Sequence, residues 1–277
     1  MEGNTIKHFI FTRFFPSQNP NYPHDVLDVD FLSSQLSLTK NIFRSLENQT
    51  NKNFDLVFIL NPKFFDNPKY EFIFSTLRDS TTLPITFIKN SDMSSLVKEA
   101  LNEYDFVIQS RMDFDDFIFK DAIADTQSKV DECNSVLCYG YCDGYTYFCR
   151  ELYLFHKRYA GNGHIAILQS LLLKSSFAKN LPSIGIYNLP HTRAKLYLKN
   201  FLEKNSMEFS ETMFQQNKST RTYIYFRHDF SRDLFSHLSD PAQFKISDRP
   251  PLIVNNIMKE RLKSEFGFDG YELKSIK

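Results

Sequence analysis

The feature that most constrains the fold is an alternation of short apolar runs and amphipathic segments up to residue 116. The apolar runs predict strands at residues 8–14, 53–62, 84–89 and 104–111, and the continuous runs of the first and the fourth are typical of strands buried inside a parallel sheet. The segments between them have apolar residues at helical spacing, and helices are predicted over residues 31–49, 70–77 and 92–102. Such alternation is typical of an α/β protein whose parallel sheet is covered by helices on both faces.

The fourth apolar run ends abruptly in Arg111-Met-Asp113-Phe-Asp115-Asp116. Open α/β sheets bind ligands at the carboxyl ends of their strands. Carboxylates crowded there repel one another unless a cation is present, and a divalent ion carrying a nucleotide diphosphate meets that need. A second interpretation is that Asp115 or Asp116 caps a helix, since apolar residues recur at roughly helical spacing from Phe117 to Ile123. The buried-strand context favours a binding site.

The second half of the chain has a different pattern. Residues 135–148 predict two strands around an Asp143-Gly144 hairpin turn, and residues 149–159 a third strand. A helix over 190–203, a late strand over 221–229 and a last helix over about 252–266 follow, whereas 165–173 fits a strand or a helix. We therefore expect one domain, 1–235, with halves 1–116 and 117–235, and a helical tail, 236–277.

Composition excludes several classes of protein. The formal net charge is +0 and the pI is about 7.0, so no electrostatic attraction to nucleic acid is expected. The four cysteines lack a Cys-x-x-Cys pair, which favours buried thiols over zinc ligands or disulfides. No segment resembles a signal peptide or approaches the ~20 apolar residues of a membrane span. We expect a cytoplasmic protein with at most peripheral contact with the inner face of a membrane.

The order of these features resembles the nucleotide-diphospho-sugar glycosyltransferases of the A-type fold. That fold is a Rossmann-like α/β/α arrangement with a mostly parallel central sheet and a smaller antiparallel part on the acceptor side. More narrowly, the chain is similar to a bacterial rhamnosyltransferase family. The matching segments are residues 11–14, 53–58, 61–62, 111–116 and 190–193, together with His228. The pattern departs from the family at residues 229–231, where Asp-Phe-Ser replaces a small residue and an asparagine.

The resemblance implies transfer of a sugar from a nucleotide-diphospho-sugar to a glycan or lipid-linked acceptor, in bacterial surface polysaccharide or lipopolysaccharide synthesis. It implies Mn²⁺ or Mg²⁺ as cofactor, with Asp115 as a direct ligand and Asp113 holding the ribose or a metal-bound water. Asp116 is either a further ligand or a helix cap. His228 either completes the metal shell or is a structural histidine at a strand end.

The remaining candidates concern the donor and the acceptor. Thr12 and Arg13 are expected near the base and ribose, and Arg111 is expected to hold either Asp113 or a phosphate oxygen through its planar fork. An inverting enzyme needs a carboxylate to deprotonate the acceptor hydroxyl. Asp143 is a candidate for that base, although a role in the Asp-Gly turn is favoured. Two further candidates for contact with acceptor or pyrophosphate are His191 and Arg193.

Two other functions stay open. A metal-dependent phosphotransferase or nucleotidyltransferase could use the same carboxylates. Nucleotidyltransferases of related architecture carry a glycine-rich, basic loop after the first strand, and residues 15–23 contain neither glycine nor lysine. A non-catalytic sugar- or nucleotide-binding protein of the same fold is the other alternative, and the intact set of three carboxylates disfavours it.

Overall fold

The structure is a computed structural model that describes residues 4–15, 25, 27–148, 153–158, 167–218, 223–227 and 255–268. Its strands are β1 (Ile6–Phe14), β2 (Asp55–Leu60), β3 (Ile85–Lys89), β4 (Phe106–Arg111), β5 (Phe117–Ile118), β6 (Val136–Tyr141), β7 (Asp143–Phe148), β8 (Tyr153–Arg158), β9 (Gln169–Lys174), β10 (Phe214–Asn217) and β11 (Tyr223–Arg227). Its α-helices are α1 (Val29–Leu36), α2 (Lys40–Glu47), α3 (Pro62–Phe65), α4 (Glu71–Asp79), α5 (Met93–Glu103), α6 (Ala122–Ser128), α7 (Ser175–Ala178), α8 (Ala194–Lys204) and α9 (Asn256–Phe266).

The central sheet has seven strands in the order β10-β6-β9-β4-β1-β2-β3. All its neighbouring pairs are parallel except those of β9, which runs antiparallel to both β4 and β6. The sheet is therefore mostly parallel, and the predicted α/β class is confirmed. Because β1 and β4 are parallel neighbours near its middle, their carboxyl ends meet at the same edge, where open sheets bind ligands.

Helices cover both faces of this sheet. On β1, Ile10 and Phe14 point into one apolar layer, which contains the buried residues of α1, α2, α4 and α6. Phe9 and Phe11 point into the opposite layer, with α5, α7 and α8. Since both faces are buried, the central strands need apolar residues at nearly every position, and this explains the continuous runs in the sequence. Within the described ranges, none of the helices is both long and apolar enough to cross a membrane.

A smaller four-stranded sheet has the order β5-β11-β7-β8. Its pairs are antiparallel except β11 with β7. Helix α9 packs on this sheet through Phe266. Two residues further on, the ring of Phe268 lies 5.1 Å from that of Phe117 in β5. Gly267 ends the helix with φ of 70°, a left-handed conformation that glycine adopts at little cost.

Two predictions about the second half were wrong. Asp143 and Gly144 begin β7 and form no hairpin turn, because β6 and β7 belong to different sheets. Glycine is required at 144 for close packing: a Cβ there would lie 2.6 Å from the Tyr223 ring and its carbonyl oxygen. No helix begins at Asp116 either, since residues 117–118 pair with β11 as β5 and α6 starts only at Ala122. Apolar spacing alone fitted both arrangements.

Other predicted elements were confirmed with shifted bounds. The predicted helix 31–49 is divided into α1 and α2 by a 3-10 turn at Ser37–Thr39. The ambiguous segment 165–173 contributes β9, a strand. The third strand predicted over 149–159 contains β8, which pairs with β7.

Candidate functional site

The acidic turn after β4 is held in place by its aromatic and backbone contacts. The ring of Phe114, between two of the aspartates, lies 5.2 Å from that of Phe14 and 5.9 Å from that of Phe15, edge-to-face with the first. On the α2 side, the amide of Asn41 donates a hydrogen bond to the carbonyl oxygen of Asp115 at 3.0 Å. The turn is therefore anchored by β1 and α2, and the neighbouring carboxylates project from a fixed backbone.

Charged side chains from three separate parts of the chain meet at this turn. Asp113 is half-buried, and burial raises the pKa of its carboxyl group. The negative charge of Asp115 raises this pKa further, whereas the positive charges of Arg111, Arg13 and His191 lower it. These five residues form what we call the charged cluster. The structure thus brings together candidates that are up to 178 positions apart in the sequence.

Tyr187 belongs to this site and was not among the predicted residues. Its ring centre lies 4.2 Å from the guanidinium carbon of Arg13 and 5.5 Å from that of Arg111. Its hydroxyl donates a hydrogen bond to the carbonyl oxygen of Phe11 at 2.9 Å. Burial raises the pKa of this phenol, so the hydroxyl stays protonated at neutral pH. No motif surrounds Tyr187 in the sequence, and only the fold places it beside the arginines.

Four other predicted site residues are not members of the charged cluster. Thr12 is fully buried and, one residue before Arg13 in β1, faces the opposite side of the sheet; its hydroxyl has no hydrogen-bond partner among the described residues. Asp116 and Asp143 are also fully buried. Arg193 is exposed, just before α8. His228 lies outside the described residues, as do residues 16–23.

The donor set suits a divalent cation that arrives with phosphate ligands. In the described part of the chain, no three His, Cys, Asp or Glu side chains group as a metal site. Mg²⁺, however, is often bound by one or two carboxylates plus the phosphates of a substrate. Asp113 and Asp115 are half-buried, interacting carboxylates, and they fit that arrangement. Asp116 fits it less well because its side chain is buried.

Two of the cysteines, Cys133 and Cys138, are not suited to act as nucleophiles. Cys133 and Cys138 are buried, and burial raises the pKa of their thiols to about 11 and about 12. At neutral pH both are therefore thiols, whereas the thiolate is the nucleophile. The predicted buried thiols are confirmed at Cys133, Cys138 and Cys142; Cys149 lies outside the described residues.

The sheet order and the helices on both faces define a Rossmann-like α/β protein, with an acidic turn at the carboxyl end of β4. A family model described as "Putative rhamnosyl transferase" matches residues 30–225, well over half of the chain. The chain therefore belongs to this family. No curated protein matched the sequence.

Several solved structures are similar over most of this chain. TarS of S. aureus has 12% identity and a TM-score of 0.40, with 79% of this chain and 36% of TarS covered. TarS 1–349 in complex with UDP has 13% identity and a TM-score of 0.41, with 79% and 60% covered. A "putative nucleotide-diphospho-sugar transferase" from Desulfovibrio desulfuricans G20 has 11% identity and a TM-score of 0.39, with 87% and 91% covered. This chain thus spans about a third of the length of TarS and about three-fifths of the length of TarS 1–349. At these identities and TM-scores the likeness carries no argument, and the family assignment rests on the match to the family model.

Proposed function

We propose that this protein is a metal-dependent glycosyltransferase that moves a sugar from a nucleotide-diphospho-sugar to a glycan or lipid-linked acceptor. The observation that carries the proposal is the charged cluster at the carboxyl end of β4, in a member of a glycosyltransferase family. The family description favours rhamnose as the sugar, and the resemblance favours bacterial surface polysaccharide or lipopolysaccharide synthesis as the setting.

The cluster offers both kinds of group that a donor diphosphate requires. Arg13 and Arg111 provide guanidinium groups, whose planar donors match phosphate oxygens. Asp113 and Asp115 provide the carboxylates for Mn²⁺ or Mg²⁺. When bound there, the cation supplies Lewis-acid stabilisation of the negative charge that develops on the departing nucleoside diphosphate. The arginines of this chain would then bind and orient the same leaving group from the β1 side.

On the acceptor side, His191 is placed better than Asp143. His191 is half-buried, close enough to Asp113 to influence the pKa of that carboxyl, and precedes α8. A group at this position can orient an acceptor hydroxyl or accept its proton. Asp143 is fully buried in β7, and an acceptor hydroxyl would need a rearrangement of the small sheet to reach it.

A panel of nucleotides tests this proposal. We would measure thermal unfolding with UDP, GDP, dTDP and, as a control, CMP, each with Mn²⁺, Mg²⁺ or EDTA. At a hundredfold excess over its dissociation constant, a ligand adds about 2.7 kcal/mol, which raises the Tm of a chain this size by about 5 °C or more. Asp115→Asn should remove a metal-dependent shift. Asp131→Asn, at an exposed carboxylate outside the cluster, is the matched control.

The possible outcomes separate the alternatives. One nucleoside diphosphate that stabilises the protein only with metal, and no longer stabilises Asp115→Asn, supports the transferase. Binding without turnover of any nucleotide sugar supports the non-catalytic alternative. Release of pyrophosphate from a nucleoside triphosphate identifies a nucleotidyltransferase. If no nucleotide shifts the Tm under any condition, the donor site as described is wrong.

A further inference from the structure

The segment that carries Tyr187 is fixed to the middle of the central sheet. Gln109, fully buried in β4, donates from its amide nitrogen to the carbonyl oxygen of Ile184 at 3.1 Å. Its amide oxygen accepts a hydrogen bond from the backbone N–H of Ile186 at 3.2 Å. One side chain thus satisfies two backbone groups of the segment. This contact places the 3-10 turn Ile186–Asn188 beside the carboxyl end of β4.

The hydroxyl of Tyr187 is bound to the backbone of β1 beside the positions of both arginines. The carbonyl oxygen of Phe11 accepts hydrogen bonds from Tyr187 and from the backbone N–H of Met112, at 2.9 and 3.0 Å. Phe11 pairs with Arg111 in the β1–β4 ladder and precedes Arg13 by two residues, on the same face of β1. The ring is therefore held at its backbone by Gln109 and at its far end by Phe11.

The chemistry of the ring matters for the charge of the site. The face of an aromatic ring attracts cations, and both guanidinium groups lie within about 6 Å of this ring centre, the range of that attraction. A carboxylate in the same place would neutralise the arginines. A neutral phenol instead brings two positive charges together and leaves them available to an anion.

Arg111 gives a second, independent indication of a ligand. Its side chain is only 8% exposed, yet its Nε has no hydrogen-bond partner among the described residues. An exposed donor bonds to water, whereas a buried donor without a partner is destabilising, more so when it is charged, and an incoming acceptor oxygen would satisfy it.

We propose that Tyr187 is a positioning residue that holds Arg13 and Arg111 as a pair for the diphosphate group of the donor. The inference rests on the proposed donor site and deepens it, because it assigns the recognition of the diphosphate to the arginine pair and its geometry to Tyr187. Neither the nucleoside nor the sugar takes part in this recognition.

Inorganic pyrophosphate is the probe, since it contains the proposed group without base or sugar. We would measure its binding by calorimetry, with and without Mg²⁺, to the wild type, Tyr187→Leu, Tyr187→Phe and Tyr197→Leu. Loss of the ring should weaken binding about tenfold or more, because the two arginine side chains are no longer held as a pair and must be ordered when pyrophosphate binds. Phenylalanine keeps the ring and the contact of the segment with Gln109, and loses only the bond to Phe11, so its binding should stay within about threefold of the wild type. Tyr197 is 44% exposed on α8 and is not a member of the charged cluster, so its change should have no effect.

Three results would overturn the inference. They are no binding of pyrophosphate by the wild type, unchanged binding by Tyr187→Leu, or equal weakening by Tyr187→Leu and Tyr187→Phe, which would indicate a merely structural role. Failure of the proposed function is distinguishable. If pyrophosphate binding depends on Tyr187 but no nucleotide sugar is turned over, the arginine pair stands and the transferase assignment fails.

Discussion

His8 makes the stability of the central sheet dependent on pH in a way that can be calculated. It lies in β1, 1% exposed, and burial lowers the pKa of its imidazole from 6.5 to about 3. Its Nε2 lies 2.7 Å from the hydroxyl of Ser110 in β4, which lies 2.6 Å from that of Ser170 in β9. The side-chain amide of Gln127 donates to its Nδ1 at 3.2 Å. The neutral imidazole therefore joins three adjacent strands by hydrogen bonds.

Protonation of His8 would break this arrangement. The amide of Gln127 cannot rotate to accept a proton from Nδ1, because its nitrogen also donates to the carbonyl oxygen of Asn53 and its oxygen accepts from the amide of Asn51. The folded-state pKa is lower than that of the unfolded chain, so the unfolded state binds more protons between pH 6.5 and about 3. The contribution is complete above pH 6.5 and is lost as the pH falls. Between pH 7 and pH 5 the loss is about 2 kcal/mol.

The assay is urea denaturation of the wild type and His8→Gln at pH 7, 6 and 5. Far-UV circular dichroism is the suitable probe, since the chain has 0 Trp. The variant should be less stable at pH 7, and its disadvantage should shrink by about 2 kcal/mol at pH 5, because glutamine does not titrate. If the two proteins lose stability in parallel, His8 is not held neutral in the folded state and the reasoning is refuted.

Three further predictions concern packing and reactivity. Phe114→Ala should weaken nucleoside diphosphate binding about tenfold by calorimetry, because it frees the acidic turn; unchanged affinity would show that the aromatic contacts do not position it. Gly144→Ala should destabilise the protein by about 1–3 kcal/mol in urea, since the new methyl group meets the Tyr223 ring and backbone at 2.6 Å; an unaltered midpoint would contradict that contact. Cys133 and Cys138 should resist alkylation at pH 8 in the folded protein and react in urea, by peptide mass spectrometry; rapid labelling of the native protein would disprove their raised pKa.

Most of the central sheet could be predicted because its inner strands are buried on both faces. That burial requires continuous apolar runs in β1, β2 and β4, and the helices between the strands have apolar residues at helical spacing. Strand β3 lies at the edge of the sheet, with Thr86 exposed. The small sheet was harder. The Asp143-Gly144 pair is typical of a hairpin turn, but Gly144 is needed for close packing against Tyr223. Strand β5 has only two residues, too few to show the alternation of a strand. Both features depend on contacts with β11, which is distant in sequence.

The charged side of the site was predictable in part. The rule that ligands bind at strand ends identified Asp113, whereas Arg13 was expected in the site from the resemblance to the glycosyltransferases. The resemblance also placed Thr12 in the site, although alternation along the strand turns its side chain to the opposite face. Tyr187 could not be found from the sequence at all, because the contact of Gln109 with its backbone segment brings it there.

The measurement that tests the central claim most directly is the release of nucleoside diphosphate from nucleotide sugars by the purified protein. A panel that includes UDP-, GDP- and dTDP-sugars, with Mn²⁺, Mg²⁺ or EDTA, would be compared for the wild type and the Asp113→Asn/Asp115→Asn variant. The account predicts release from one nucleotide class, only with a divalent cation, and a loss of at least about 100-fold in the variant, the scale of a lost electrostatic contribution to catalysis. Release at an equal rate by the variant, or in EDTA, would contradict it.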